Sequence, residues 1–191
     1  FALGSYDKSR LVDFQIPEEM AAQFPGPAFG VHRTREVVGL TGDELLIGTI
    51  VKPTAGLEPD EVAEFAYQAA LGGICFIKDD EKMMNPSYCP LRERVDAVSK
   101  ALRNAEDQTG QRVLYAAHIS TSPDRILDNA RTAIDAGANG LMLNFFSSAF
   151  ASLQILREHP DVDVPIYAHC GGREALGRAV GQGIAASVIV K

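Results

Sequence analysis

No long apolar run crosses the 191-residue sequence, tryptophan is absent and cysteine is scarce. The first absence excludes a transmembrane helix, which needs about 20 consecutive apolar residues. The second decides nothing about the fold. The three cysteines, Cys75, Cys89 and Cys170, are odd in number and spaced as neither a zinc ribbon nor a disulfide framework, so a reducing, cytoplasmic setting is expected. Basic residues are also short: 18 Lys and Arg against 25 Asp and Glu, a net charge of -7. Nucleic-acid recognition works through a basic stripe or patch, so no nucleic-acid partner is expected. A starting methionine is missing too. The chain opens on Phe1-Ala2-Leu3 and closes on Lys191 within an apolar stretch, so it reads as an internal piece of a longer protein, and the absence of a signal peptide carries little weight.

What is present suits a globular domain with one sizeable core: 46% hydrophobic and 23% charged residues. Residues 1–44 differ in pattern from the rest. Residues 11–16 alternate as a strand; Pro17-Glu18-Glu19-Met20 marks a helix start with acids in its first turn, and Pro25-Gly26-Pro27 ends that helix near Phe24. A second short helix is expected over residues 32–40.

From residue 45 a regular alternation sets in. Residues 45–51 form an apolar run ended by Lys52-Pro53, the pattern of a strand buried on both faces. Helical periodicity follows from Glu58 to Leu71, with Val62, Phe65, Ala66, Ala69 and Ala70 on one side. Further strands are predicted over residues 74–77, 112–119, 140–146 and 164–169, separated by helices over 91–106, 124–136 and 148–158. Five strands alternating with helices read as a parallel α/β sheet. Lys52, Lys78 to Glu81, His118, Asn144 and His169 stand at the C-terminal ends of successive strands. A doubly wound sheet gathers such residues at one switch point, whereas a (β/α)8 barrel uses every strand end. The pattern favours the barrel. A whole barrel needs about 250 residues, so the first five strands leave the ring open. The expected organisation is the end of an N-terminal domain with its linker over 1–44 and an incomplete barrel over 45–191.

The sharpest chemical signal is Lys78-Asp79-Asp80-Glu81. Three adjacent carboxylates at the mouth of a buried strand repel one another and call for a cation. By the strand period of two, Lys78 and Asp80 share a face and Asp79 points away. Asp80 and Glu81 offer hard oxygen ligands suited to Mg2+. A protonated lysine cannot ligate a metal; carbamylated by CO2, Lys78 becomes an anionic oxygen donor. The alternative is a solvated acidic loop with Lys78 as its counter-ion. Lys52 is a candidate general acid/base, its pKa open to lowering by desolvation and nearby positive charge, or else a snorkelling lysine. His118 and His169 are candidate proton carriers or substrate ligands, or satisfied core histidines. Gly171-Gly172 after His169 leaves room for a ligand and could offer N–H groups to a phosphate. Asn144 is a candidate for hydrogen bonding to substrate.

These residues carry a resemblance to the RuBisCO large-subunit superfamily. Gly48 to Leu57 (GTIVKPTAGL) is similar to its first-strand motif, and Gly72 to Glu81 (GGICFIKDDE) to its carbamate and metal motif. Arg10 to Pro17 (RLVDFQIP) and Gly26 to Gly30 (GPAFG) resemble the segment joining the family's N-terminal domain to its barrel. The resemblance implies that Lys78 is carbamylated, that Lys78, Asp80 and Glu81 bind Mg2+, and that Lys52 is a catalytic acid/base. It implies a small-molecule substrate and at least a homodimer, with one subunit's N-terminal domain over its partner's barrel mouth. There are departures. Thr54 stands where carboxylases have a second lysine, His118 where Asn is common, and Cys170 and Arg173 where Arg and His bind phosphate and substrate. Arg173 is a candidate to replace part of that phosphate grip. The pattern is that of the RuBisCO-like proteins (form IV).

The leading expectation is therefore Mg2+-dependent enolisation of a keto-sugar phosphate by tautomerisation or isomerisation, with Lys52, Lys78 and His169 catalytic and His118, Asn144 and Arg173 binding substrate. Decarboxylation of a 3-keto sugar acid comes second and true carboxylation third. A degenerate scaffold barrel is the non-enzymatic alternative, which the intact carboxylate run argues against.

Overall fold

The computed structural model describes residues 9–177 and 183–189. The opening Phe1-Ala2-Leu3 and the closing Lys191 lie outside the described residues. The described residues form two compact units, one from the stretches up to Gly26 and from Cys170 onward, the other spanning Pro27–His169.

In the smaller unit β1 (Arg10–Leu11) and the one-turn helix α1 (Glu18–Ala21) come from the N-terminal stretch. The strand expected over 11–16 shrinks to two residues, which pair in parallel with a two-residue strand at Gly183–Ile184.

The larger unit begins with α2 (Gly30–Val37) and continues through β2 (Gly48–Ile50), α3 (Pro59–Leu71), β3 (Phe76–Lys78), α4 (Leu91–Thr109) and β4 (Leu114–His118). A single 3-10 turn leads into α5 (Ile126–Asp135), followed by β5 (Gly140–Asn144), α6 (Phe150–Glu158) and β6 (Ile166–His169). The smaller unit then supplies α7 (Glu174–Gly177), β7 (Gly183–Ile184) and α8 (Ala186–Ile189).

Sequence chemistry accounts for the helices. Pro59 opens α3 at a position where its missing N–H costs nothing, and Glu58 and Glu61 close a reciprocal capping box ahead of it. α3 buries Val62, Ala63, Ala66 and Ala70. α4 buries Leu91, Arg94, Val95, Val98, Leu102 and Ala105, a three-and-four spacing that makes one apolar stripe. Gly110 ends it with φ 71°, a conformation in which a side chain would be strained.

The five strands β2 to β6 lie in chain order and every neighbouring pair is parallel. All five residues of β4 and of β5 are buried, as expected for central strands covered on both faces. β2 differs. It is an edge of this sheet, Leu45 and Ile47 before it are 78% and 51% exposed, and only Val51 at its end is fully buried. The expected burial is met at Val51 and not at Leu45 and Ile47, which stand at the open edge of a five-stranded sheet that is not closed into a ring.

The sheet curls. Phe76 of β3 and Tyr167 of β6 are three strands apart, which in a flat sheet is roughly 14 Å. Their ring centroids nevertheless lie 5.5 Å apart. A doubly wound sheet does not bring such strands face to face, so the five strands are a parallel part-barrel. Lys78 and His169 follow Phe76 and Tyr167 by two residues on the same strands and therefore share their inward side.

Leu141 of β5 is fully buried. Leu141→Ala in the intact protein should cost about 2–5 kcal/mol through lost burial and a residual cavity, whereas Glu64→Ala on an exposed helix face should stay within about 0.5 kcal/mol. Urea unfolding followed by circular dichroism checks both.

Candidate active site

Five strand ends supply the candidate residues. Lys52 follows β2, Lys78 ends β3 with Asp79, Asp80 and Glu81 in the turn after it, His118 ends β4, Asn144 ends β5 and His169 ends β6. Asn144 and His169 are register partners.

Asp80 has no exposed surface. Its Oδ2 accepts hydrogen bonds from Lys52 Nζ at 2.5 Å and Thr54 Oγ1 at 3.0 Å, and its Oδ1 accepts from the Lys82 amide at 2.9 Å. Burial by itself would push this carboxyl up, but the lysine, the amide and the threonine together hold it below the ordinary carboxylate value. Lys52 also donates to Thr54 at 3.1 Å, so ammonium, hydroxyl and carboxylate form a closed triangle. The Lys52 side chain is 55% exposed, and its hydrogen bond to Asp80 raises its pKa. The fall expected for Lys52 is thus reversed here, because its nearest charge is an anion.

Lys78 is half-buried and donates to the Asp79 carbonyl at 3.2 Å. Burial lowers its pKa against the opposing pull of Glu81 and Asp80. Glu81 Oε2 lies 3.8 Å from His169 Nε2, whose pKa is lowered by burial and by Lys78. Asn144 is 7% exposed and its Oδ1 accepts from the Phe146 amide at 3.3 Å.

Asp79 does point away, and into a cluster that sequence reasoning missed. Its Oδ1 accepts from Tyr115 Oη at 2.7 Å, and its Oδ2 from Arg94 Nε at 3.1 Å and the His118 amide at 2.9 Å. Asp79 and Arg94 are both fully buried. A signal existed: Arg94 sits on the apolar stripe of α4 beside Leu91, Val95 and Val98, where an arginine stays only if paired.

His118 is also fully buried. Met83 O, at 3.3 Å from Nδ1, can only accept, so Nδ1 carries the proton. Nε2 then accepts from Ser120 Oγ at 2.6 Å, and Ser120 Oγ in turn accepts from the Asn144 amide at 2.8 Å. Both ring nitrogens are engaged within the protein. The ring offers no free nitrogen to a ligand, which goes against the expectation that His118 binds substrate. Arg173 belongs to the smaller unit, where it faces Glu174 at 3.9 Å, and Cys170 in that unit is exposed.

Among the described residues no group of three or more His, Cys, Asp and Glu side chains is ready to hold a metal ion. Asp80 and Glu81 supply two hard oxygen donors, and the Asp80 carboxylate already draws a cation, the Lys52 ammonium. A third anionic donor would have to come from a carbamate on Lys78. The donor set therefore fits Mg2+ with CO2 bound on that lysine. No helix among the described residues is long and apolar enough to cross a membrane.

The family described as ribulose bisphosphate carboxylase large chain, catalytic domain, matches residues 30–191. A 3-oxo-isoapionate-4-phosphate decarboxylase of Rhizobium etli is 39% identical over 176 residues, 92% of this chain and 42% of that protein. A 2,3-diketo-5-methylthiopentyl-1-phosphate enolase of Bacillus pumilus is 33% identical over 183 residues, 96% of this chain and 45% of that protein. Among solved structures, a rubisco-like protein from Alicyclobacillus acidocaldarius is similar with a TM-score of 0.88 and 35% identity, over 95% of this chain and 46% of that one. The chain spans less than half the length of these relatives.

Burial lowers the His118 pKa from 6.5 to about 4. Between those values the unfolded chain binds a proton that the folded state refuses, so stability is lost as pH falls through this window, by about 3 kcal/mol in all. Denaturant unfolding of the intact protein at several pH values should show this slope, and His118→Asn should flatten it.

Proposed function

The chain belongs to the family of ribulose bisphosphate carboxylase large-chain catalytic domains, and from that membership we propose that it is part of a RuBisCO-like enzyme that enolises a keto-sugar phosphate with Mg2+. The observation that carries the proposal is the buried Asp80 carboxylate, held against Lys52 at 2.5 Å with Glu81 and Lys78 beside it in the same turn.

In this reading Lys78 takes up CO2 as a carbamate, and Lys78, Asp80 and Glu81 hold the metal. Bound Mg2+ supplies positive charge against the oxygen charge that develops on enolisation. The remaining work falls to side chains. Freed from Asp80 in the metal-bound site, Lys52, at the mouth and more than half exposed, would receive or return the proton at substrate carbon. His169, facing Glu81 across 3.8 Å, is a second proton carrier. Asn144 orients substrate through its amide. Arg173, in the smaller unit, is a candidate for binding phosphate. His118, with its nitrogens engaged, positions the Met83 and Ser120 segments and does not touch substrate. A homodimer or larger assembly would complete the site over the barrel mouth, and the free thiols of Cys75 and Cys89 suit a reducing cytoplasm.

One observation favours a second reading. Identity to the Rhizobium etli decarboxylase, 39%, exceeds the 33% to the Bacillus pumilus enolase. Decarboxylation of a 3-keto sugar acid phosphate generates the same kind of enolate by loss of CO2 instead of a proton, and the carboxylate turn serves both.

Solvent-deuterium exchange into keto-sugar phosphates, measured on the intact protein with and without Mg2+ and CO2, tests the proposal. Exchange should require both, should fall about 100- to 10,000-fold in Lys52→Met and should vanish in Lys78→Ala. Release of CO2 from 3-keto sugar acid phosphates without exchange would move the assignment to the second reading. Neither activity, together with no bound metal, would overturn both.

A further inference from the structure

The three acidic residues of the Lys78-Asp79-Asp80-Glu81 turn divide between two tasks, and the metal reading uses only two of them. Asp79 faces the opposite way and has no exposed surface. A buried ion pair such as Asp79–Arg94 is a poor means of stabilising a fold, since apolar residues of the same shape often do as well. Its geometry is more informative than its charge.

Arg94 uses its whole fork. Nε donates to Asp79 Oδ2 at 3.1 Å, and Nη1 donates to the Cys89 carbonyl at 2.9 Å. Nη2 reaches the carbonyls of Met84 at 3.3 Å, Met83 at 3.5 Å and His118 at 3.5 Å. One helix side chain thus grips the loop that follows β3 at both its start and its end, and ties it to the end of β4. Met83 is held a second time by His118 Nδ1, and its own amide donates to the Asp80 carbonyl at 3.0 Å. Asp79 is fixed through its amide as well, which donates to the Ala116 carbonyl at 3.3 Å, and its carbonyl receives Lys78 Nζ at 3.2 Å. Asp79, whose carbonyl receives Lys78, and Met83, whose amide donates to Asp80, are therefore each one hydrogen bond from the Arg94 guanidinium.

We infer that Arg94, acting through Asp79, is a positioning residue that sets the backbone of the Asp80-Glu81 turn and so the geometry in which these carboxylates and Lys78 meet a divalent cation. The inference rests on the proposed metal site. A planar five-donor fork suits this role and a lysine does not, because an ammonium can satisfy Asp79 but cannot at the same time span the Met83, Met84 and Cys89 carbonyls.

The test is Mn2+ binding to the intact protein in bicarbonate, followed by electron paramagnetic resonance as a substitute for Mg2+. Three forms are compared: wild type, Arg94→Lys, and the charge-neutral double variant Asp79→Asn/Arg94→Met. Circular dichroism and thermal unfolding establish that each is folded. The folded variants should bind Mn2+ about 10- to 100-fold more weakly than wild type, the loss typical of removing a group that orients metal ligands. Arg94→Lys keeps the buried charges paired, so it reports even if the double variant does not fold. Wild-type affinity in either folded variant would overturn the inference and leave the metal site standing. No Mn2+ binding by the wild type would overturn both.

Discussion

Asp80 is a carboxylate with no exposed surface, and a charge in that position persists only beside a partner. Lys52, Thr54 and the Lys82 amide are those partners. Much of the architecture serves to bring them together. The parallel pairing of β2 with β3 sets Ile50 opposite Lys78, so the residues leaving the two strands emerge side by side. Gly48 permits that pairing to be close, because a Cβ there would come within 2.5 Å of the Phe76 ring. The curl of the sheet then carries His169 of β6 to within 3.8 Å of Glu81.

The same turn shows how one strand serves two environments. Strand alternation sends Lys78 and Asp80 to the inward face and Asp79 to the helix-covered face. On the inward face the partners of Asp80 are a lysine more than half exposed, a threonine hydroxyl and the Lys82 amide. On the outer face the partners of Asp79 are a fully buried arginine, a tyrosine and a backbone amide, suited to staying fixed. Adjacent carboxylates that would repel one another in water are thereby neutralised separately, Asp80 by Lys52 and Asp79 by Arg94.

Much of this was legible in the sequence. The apolar runs at regular intervals gave the strands, the residues at their ends gave the candidate site, and the period of two separated Asp79 from Asp80. The losses are equally specific. Leu45 and Ile47 are apolar yet exposed at the open edge of the five-stranded sheet. Arg94 and Tyr115 lie 15 and 36 residues from the Asp79 they satisfy, and no local pattern links them. The Lys52 contact with Asp80 spans 28 residues; the strand ends placed both near the mouth, but the sign of the Lys52 pKa shift followed from their being in contact. His118 stood at a strand end like its neighbours, and only Ser120 and Met83 closing on its two nitrogens separate it from them.

The central claim is that the Asp80 carboxylate is a cation site which Lys52 fills in the structure described. A crystal structure of the intact protein grown with Mg2+ and bicarbonate tests it directly. The expected result is a carbamate on Lys78 and a metal about 2.0–2.1 Å from oxygens of that carbamate, Asp80 and Glu81, with Lys52 Nζ displaced from Asp80. An unmodified Lys78 and an unchanged Lys52–Asp80 contact under those conditions would contradict it.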